Sequence, residues 1–120
     1  MAHIMAVDDS VSLRQLLVRT LIEGGHKVVE ARDGVEALGA AQTQKFQLVI
    51  TDVNMPQMDG LTLVKRLREL PAYKHIPILV LTTELDPNKK KIAKDAGATG
   101  WLVKPFEPVQ LLATIRKVLD

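Results

Sequence analysis

The chain alternates between short apolar runs and segments with a helical apolar period, and this alternation restricts the possible folds more than any other feature. Five apolar runs predict strands, at residues 3–7, 27–31, 47–51, 77–81 and 100–103. Runs that are apolar on both faces are typical of a parallel sheet covered by helices on both sides. The sequence therefore predicts an open α/β sheet, since five units are too few for an eight-stranded barrel.

Apolar residues at helical spacing follow each predicted strand. They are Leu13, Leu16, Leu17 and Leu21 in the first helix, Val35, Leu38 and Ala41 in the second, Leu61, Val64 and Leu67 in the third, and Leu112, Ile115 and Leu119 in the last. The fourth helix is predicted over 86–96, with Asp86 as its N-cap and Pro87 at its first helical position. Glycines at 24, 25 and 97 are expected to end helices.

Length and composition predict one compact domain over residues 1–120. The chain is 47% hydrophobic, which is enough for a two-sided core, and no linker or repeat divides it. It has no cysteine, which excludes disulfides and thiolate metal sites.

Charge and hydropathy exclude several classes of partner. The net charge is only +2, so we expect no nucleic-acid binding. No apolar stretch approaches the roughly 20 residues that span a bilayer, and no secretory signal is evident, so we expect a cytoplasmic protein with no membrane insertion.

Charged and hydroxyl side chains stand where four of the predicted strands end. Asp8 and Asp9 follow the first strand, Asp52 the third, Thr82 the fourth and Lys104 the fifth. Each residue alone is more typical of a loop, a cap or a solvated surface. In an open α/β sheet, however, ligands bind outside the carboxyl ends of the strands, so these residues are expected to converge on one site.

Three converging carboxylates repel each other and need a compensating cation. Two like charges about 4 Å apart cost roughly 4 kcal/mol at an effective dielectric of about 20. Mg²⁺ is bound by carboxylate, carbonyl and water oxygens, and Lys104 adds a positive charge able to pair with Asp52 or with a phosphoryl oxygen. The pattern predicts a Mg²⁺ site with a reactive aspartate at its centre. His3, His26 and His75 show no ligand spacing.

The residues of this predicted site form the ordered set Asp8-Asp9, Asp52, Thr82 and Lys104-Pro105-Phe106. This set resembles the receiver domain of two-component response regulators, and in particular the stand-alone receivers of chemotaxis type. The surrounding residues are also similar, namely Val53-Asn54-Met55-Pro56, Met58-Asp59-Gly60 and residues 97–103. This resemblance covers essentially the whole chain. It implies the flavodoxin-like fold, a doubly wound five-stranded parallel sheet of order 2-1-3-4-5 with five helices.

The resemblance also implies roles for the site residues. Asp52 would accept a phosphoryl group from a phosphohistidine of a histidine kinase. Mg²⁺ would be held by Asp8, Asp9, Asp52 and the backbone carbonyl of Asn54, with Asp8 acting through water. Lys104 would neutralise the transferring phosphoryl oxygens, and the Lys104-Pro105 bond would be cis, which would aim the lysine inward.

A switch and a timing role are implied in the same way. Thr82 would bond the phosphoryl group, and Trp101 would rotate into the space that Thr82 vacates, although relatives carry tyrosine or another aromatic residue there. The output surface would be the fourth helix, the fifth strand and the last helix. Asn54 and Glu84 would set the phosphoryl lifetime.

Because the chain ends where a receiver ends, we expect a monomeric, non-enzymatic signalling protein. It would dock on a downstream protein such as the flagellar motor switch. Within the class, a single-domain phosphorelay or pilus-motility receiver is the alternative. An aspartyl-phosphate hydrolase needs a second acid where Asn54 stands, and a flavin carrier needs a phosphate loop after the first strand, so both rank below the receiver.

Overall fold

A computed structural model describes residues 2–83 and 87–120. Within these ranges, strands and helices alternate along the chain. In chain order they are β1 (His3–Val7), α1 (Val11–Glu23), β2 (Lys27–Ala31), α2 (Gly34–Thr43), β3 (Leu48–Asp52), α3 (Gly60–Arg68), a 3₁₀ turn (Pro71–Tyr73), β4 (Ile78–Thr82), α4 (Pro87–Ala96), β5 (Gly100–Val103) and α5 (Pro108–Leu119).

The strands form one parallel sheet in the order β2-β1-β3-β4-β5. The predicted α/β class, the flavodoxin-like strand order and the five helices are confirmed. Strand order reverses between β1 and β3, and in sheets of this kind ligands bind outside the carboxyl ends near that reversal.

Two apolar layers form the core, one on each face of the sheet. Alternate strand residues supply each layer, because successive side chains of a strand point to opposite faces. One layer packs strand residues such as Met5 and Val49 against α2, α3 and α4. The other packs Ile4 and Ile50 against α1 and α5. Burial on both faces explains why the strands read as continuous apolar runs.

The predicted strand boundaries need a small correction at β3 and β4. Both strands begin and end one residue later than predicted, so Asp52 and Thr82 are themselves the last residues of their strands. The reason is that both residues still pair with a neighbouring strand, Asp52 with Leu81 and Thr82 with Val103. A polar residue at a strand end looks like a loop residue in sequence.

The helix predictions are confirmed in position but not in every apolar contact. Leu17 and Leu21 are buried in α1, whereas Leu13 and Leu16 are 36% and 45% exposed. Leu13 and Leu16 line a small apolar cleft beside Leu81 and Phe106, close to the carboxyl edge of the sheet.

In α2 the apolar periodicity misassigned one residue. Ala37 and Ala41 fill the core, and Val35 is 52% exposed.

The helix ends follow their capping residues. Ser10, Asp33, Asp59 and Glu107 each accept backbone N–H groups at the start of a helix. Pro87 opens α4 as predicted, and its proposed N-cap Asp86 lies outside the described residues. Among the described residues, no helix has both the length and the apolar character that a bilayer crossing requires.

His26 holds the start of the chain against the end of α1. Its Nδ1 accepts a hydrogen bond from the Ala2 N–H at 3.1 Å, so this ring nitrogen must be unprotonated. Burial lowers the pKa of His26 below its usual value of 6.5.

We expect the lowered pKa of His26 to make the protein less stable at mildly acidic pH. A histidine whose pKa is lower in the folded state contributes stability that is present above 6.5 and is lost as pH falls through the folded pKa. His26→Asn keeps an acceptor oxygen near the position of Nδ1 but does not titrate. The free energy of unfolding, measured in urea between pH 7.5 and 5, should fall less steeply for His26→Asn than for wild type. Equal slopes would contradict this assignment.

Gln57, in the loop between β3 and α3, has a left-handed backbone with φ of 67°. Its side chain is exposed, so packing does not compensate the conformation. Left-handed backbone costs roughly 1–2 kcal/mol for most residues, and asparagine tolerates it better than glutamine.

Gln57→Asn should therefore raise the free energy of unfolding by about 0.5–1 kcal/mol, part of the left-handed cost. Gln57→Val should lower it, because a β-branched residue is disfavoured at positive φ. Urea unfolding at pH 7 checks both variants. A Val variant as stable as wild type would show that the loop relaxes to another conformation.

Candidate functional site

The strand register brings the predicted site residues together at the carboxyl edge of the sheet. Val7 pairs with Thr51, so Asp8 and Asp52 both lie one position beyond that pair on adjacent strands. In the same way, Thr82 pairs with Val103, and Lys104 follows directly. Backbone pairing therefore places Asp8 and Asp52 side by side, whereas Lys104 follows β5 and its long side chain reaches past β4 to both acids.

Every polar atom of Asp8 is engaged. Its N–H donates to the Ala31 carbonyl, and its Oδ1 accepts the Ser10 N–H at 2.9 Å. Its Oδ2 accepts from the Lys104 ammonium at 3.1 Å, and its backbone carbonyl accepts from Arg14 Nη1 at 2.6 Å. The residue is 2% exposed, so these bonds replace the water that an ionised carboxylate requires.

Asp52 is the other buried acid of the site, at 6% exposure. Its Oδ1 accepts from the Val53 N–H at 2.9 Å and from Lys104 Nζ at 3.0 Å. The start of α3 packs directly behind it. A Cβ on residue 60 would overlap the Asp52 carbonyl oxygen, so only glycine permits this approach.

One ammonium therefore bridges two buried carboxylates. The Lys104 side chain is 12% exposed and lies about equally far from Asp8 and Asp52. Burial alone would lower the pKa of Lys104, but its hydrogen bonds and charge interactions with Asp52 and Asp8 outweigh burial and raise it. Lys104 is consequently held as a cation. The Lys104-Pro105 peptide is cis, as expected.

The pKa of Asp52 is raised above its usual value. Burial is the largest cause, and the nearby Asp8 charge adds to it, while Lys104 and the Val53 N–H act in the opposite direction. Because Asp52 shares a single ammonium with Asp8, its own charge is incompletely compensated. A further cation at this position would favour the ionised form.

Asp9 completes an acidic cluster suited to a divalent metal ion. One carboxylate oxygen from each of Asp8, Asp9 and Asp52 lies within 4.8 Å of the other two. Asp9 is exposed and faces solvent, unlike the other two acids. An all-oxygen, multiply charged donor set with one open side fits the preference of Mg²⁺, which retains several waters. The cluster can therefore hold such an ion.

Thr82 and Trp101 lie on the strands next to the cluster. Thr82 is 1% exposed, and its carbonyl accepts the Lys104 N–H at 2.7 Å. Trp101 packs against the core layer that contains α4. Its indole Nε1 is buried and has no hydrogen-bond partner within residues 2–83 and 87–120.

The sequence also predicts Asn54 and Glu84 as site residues. Asn54 is exposed and stands two residues beyond Asp52, and the role of its backbone carbonyl as a metal ligand stays a prediction. Glu84 lies outside the described residues.

Two contacts were missed by sequence reasoning. Arg14 reaches from α1 to the Asp8 carbonyl, and no local pattern signals such a contact. Gly60 was noticed only within the Met58-Asp59-Gly60 motif, where its need to approach Asp52 closely could have been inferred.

Comparison with known proteins supports the resemblance to receiver domains. The family model of the response regulator receiver domain matches residues 4–116. A Campylobacter jejuni protein described as a chemotaxis protein CheY homolog is 39% identical over 118 residues, covering 97% of this chain and 91% of that protein. The structure of Vibrio cholerae chemotaxis protein CheY4 superposes with a TM-score of 0.95 at 52% identity, covering 98% of each chain.

A larger relative contains a similar segment. The gliding motility regulatory protein of Myxococcus xanthus is 41% identical over 114 residues, which make up 92% of this chain but only 14% of that protein. Similarity thus extends to proteins of very different length. With a family model matched over 113 consecutive positions, from 4 to 116, the chain belongs to the response regulator receiver domain family of two-component signalling.

Proposed function

We propose that this chain is a phosphorylation-activated switch, a single receiver domain over residues 1–120 that acts in chemotaxis or motility. Asp52 accepts a phosphoryl group from a histidine kinase in the presence of Mg²⁺, and the phosphorylated domain then docks on a downstream protein. The observation that carries this proposal is the Lys104 ammonium, which lies 3.0 Å from Asp52 and 3.1 Å from Asp8 beside a third carboxylate. Such a site is built to stabilise transferred negative charge.

The proposed transfer is a displacement at phosphorus. Asp52 Oδ2, the oxygen opposite the one held by Val53 and Lys104, forms the new P–O bond. The P–N bond of the phosphohistidine breaks, and its electron pair returns to the imidazole nitrogen. Phosphoryl transfer requires positioning and charge neutralisation more than covalent chemistry, and Lys104 provides both at the acceptor.

Asp9 and Asp52 are the direct protein ligands we assign to Mg²⁺, with the Asn54 carbonyl as a third. Asp8 would act through water, as the resemblance to receiver domains implies. When bound, the ion neutralises charge on the phosphoryl oxygens.

Thr82 and Trp101 would convert phosphorylation into a conformational change at the protein surface. The phosphoryl group adds roughly 1.5–2 negative charges and strong acceptor oxygens, to which the Thr82 hydroxyl would donate. The indole N–H of Trp101 is buried without a partner among the described residues, and such a group typically costs about 1–3 kcal/mol. Trp101 is therefore poised for reorientation when its surroundings change.

The proposed output surface consists of α4, β5 and α5. It presents the exposed apolar side chains Ile92, Val103 and Val109. It also presents the exposed lysines of α4, which are Lys89, Lys90, Lys91 and Lys94. A downstream protein such as the flagellar motor switch would dock there. Asn54 and Glu84 would set the lifetime of the acyl phosphate by controlling access of water.

A single-domain phosphorelay or pilus-motility receiver is the second candidate. The similarity to the Myxococcus gliding motility regulatory protein favours it. The phosphorylation chemistry would be the same, and only the docking protein would differ.

Phosphorylation at Asp52 can be tested directly by intact-mass analysis after incubation with Mg²⁺ and a small acyl-phosphate donor. Wild type should gain one phosphoryl group. Asp52→Asn should gain none, because it lacks the attacking carboxylate. Chelation of the metal should also abolish the adduct. Asp95→Asn, an exposed acid on α4, serves as the control and should react like wild type. Adduct formation by Asp52→Asn would rule out Asp52 as the acceptor.

The switch can be followed by fluorescence, because Trp101 is the only tryptophan of the chain. Adding a phosphoryl analogue to the Mg²⁺-loaded protein should change the emission. Thr82→Ala should lose most of that change, and Thr82→Ser, which keeps the hydroxyl, should retain it. An identical response in Thr82→Ala and wild type would separate Trp101 from Thr82 and contradict the proposed coupling.

A further inference from the structure

The Asp8-Asp9 peptide is fixed by an arginine that belongs to neither the acidic cluster nor the Lys104 bridge. Arg14 Nη1 donates to the Asp8 carbonyl at 2.6 Å, and Arg14 Nε donates to Glu30 Oε1 at 3.0 Å. The arginine side chain is only 14% exposed. It therefore links the turn after β1 to the neighbouring strand β2.

The position of Arg14 is unfavourable for its own helix. It stands at the fourth residue of α1, and no acidic residue occupies the first turn of that helix. A positive charge near a helix N-terminus opposes the helix dipole. The ion pair with Glu30 compensates little, because Glu30 is 45% exposed and exposed pairs contribute at most about 1 kcal/mol. The contact that distinguishes Arg14 is the one with Asp8.

The Asp8 carbonyl belongs to the peptide unit that leads into Asp9. Fixing this carbonyl fixes the orientation of the peptide plane, and hence the direction in which the Asp9 side chain leaves the backbone. Asp9 needs such support from its backbone, because its exposed carboxylate makes no hydrogen bond or ion pair with any of the residues described in the structure.

We propose that Arg14 is a positioning residue for the metal site: it holds the Asp8-Asp9 peptide so that the Asp9 carboxylate stays within reach of Asp8 and Asp52. This inference rests on the proposed function, since it assigns the cluster to Mg²⁺. Groups that orient metal ligands typically contribute about 10–100-fold to metal affinity.

Electrostatics and positioning make opposite predictions for removal of Arg14. Arg14 is a cation beside a cation site, so loss of its charge alone would strengthen Mg²⁺ binding. Loss of positioning would weaken it. The sign of the change in affinity therefore separates the two roles.

The experiment is calorimetric titration of Mg²⁺ into the intact protein without any phosphoryl donor. Arg14→Ala should bind Mg²⁺ at least about tenfold more weakly than wild type. Arg14→Lys, which keeps the charge and a donor but not the planar fork, should recover part of the loss.

Arg32→Ala is the matched control. Arg32 follows β2 at the same edge of the sheet and pairs with Glu36, but its side chain is 74% exposed. Its removal should leave Mg²⁺ affinity unchanged or slightly higher. Circular dichroism and thermal unfolding without Mg²⁺ establish that each variant is folded.

Unchanged or tighter Mg²⁺ binding by folded Arg14→Ala would overturn the inference, as would a wild type that binds no Mg²⁺. Failure of the proposed function is a different result, namely a wild type that binds Mg²⁺ but forms no adduct at Asp52. In that case the comparison of Arg14→Ala with Arg32→Ala remains interpretable.

Discussion

The structure of the site depends on one ammonium shared by two buried carboxylates. Lys104 directly follows β5, and its ammonium lies 3.1 Å from Asp8 and 3.0 Å from Asp52, where β1 and β3 end. Two carboxylates so close would cost several kcal/mol without it. With Asp9 included, three carboxylates face one ammonium, which leaves two formal negative charges uncompensated. A divalent cation would neutralise both.

The fold supplies this arrangement at the ends of the strands, since Asp52 ends β3 while Asp8 and Lys104 directly follow β1 and β5. Parallel pairing sets Asp8 beside Asp52 and Lys104 beyond Thr82, and helices on both faces keep the strands in register. Sites built on regular elements hold their geometry more tightly than sites built on loops. Gly60 extends the same principle, because it lets α3 press against the backbone of Asp52.

Sequence reasoning succeeded where the determinants are local. Apolar runs predicted each strand, apolar residues at helical spacing predicted most of the helices, and the rule for carboxyl ends predicted which acids meet. It failed for Val35, since a short helix can bury small alanines on the face that periodicity alone assigns to a larger residue. It also missed Arg14, since the bond to Asp8 spans six residues between a helix and a turn and depends on the length of one side chain.

Burial divides the three acids into different roles. Asp8 is buried, and both of its carboxylate oxygens accept hydrogen bonds, one from Ser10 and one from Lys104. Asp9 is exposed and open to an incoming cation. Asp52 is buried, and burial raises its pKa above the usual value although Lys104 acts in the opposite direction. Three aspartates thus differ in their hydrogen bonds and in their exposure. The order of these residues along the chain therefore predicts a site but not the role of each aspartate.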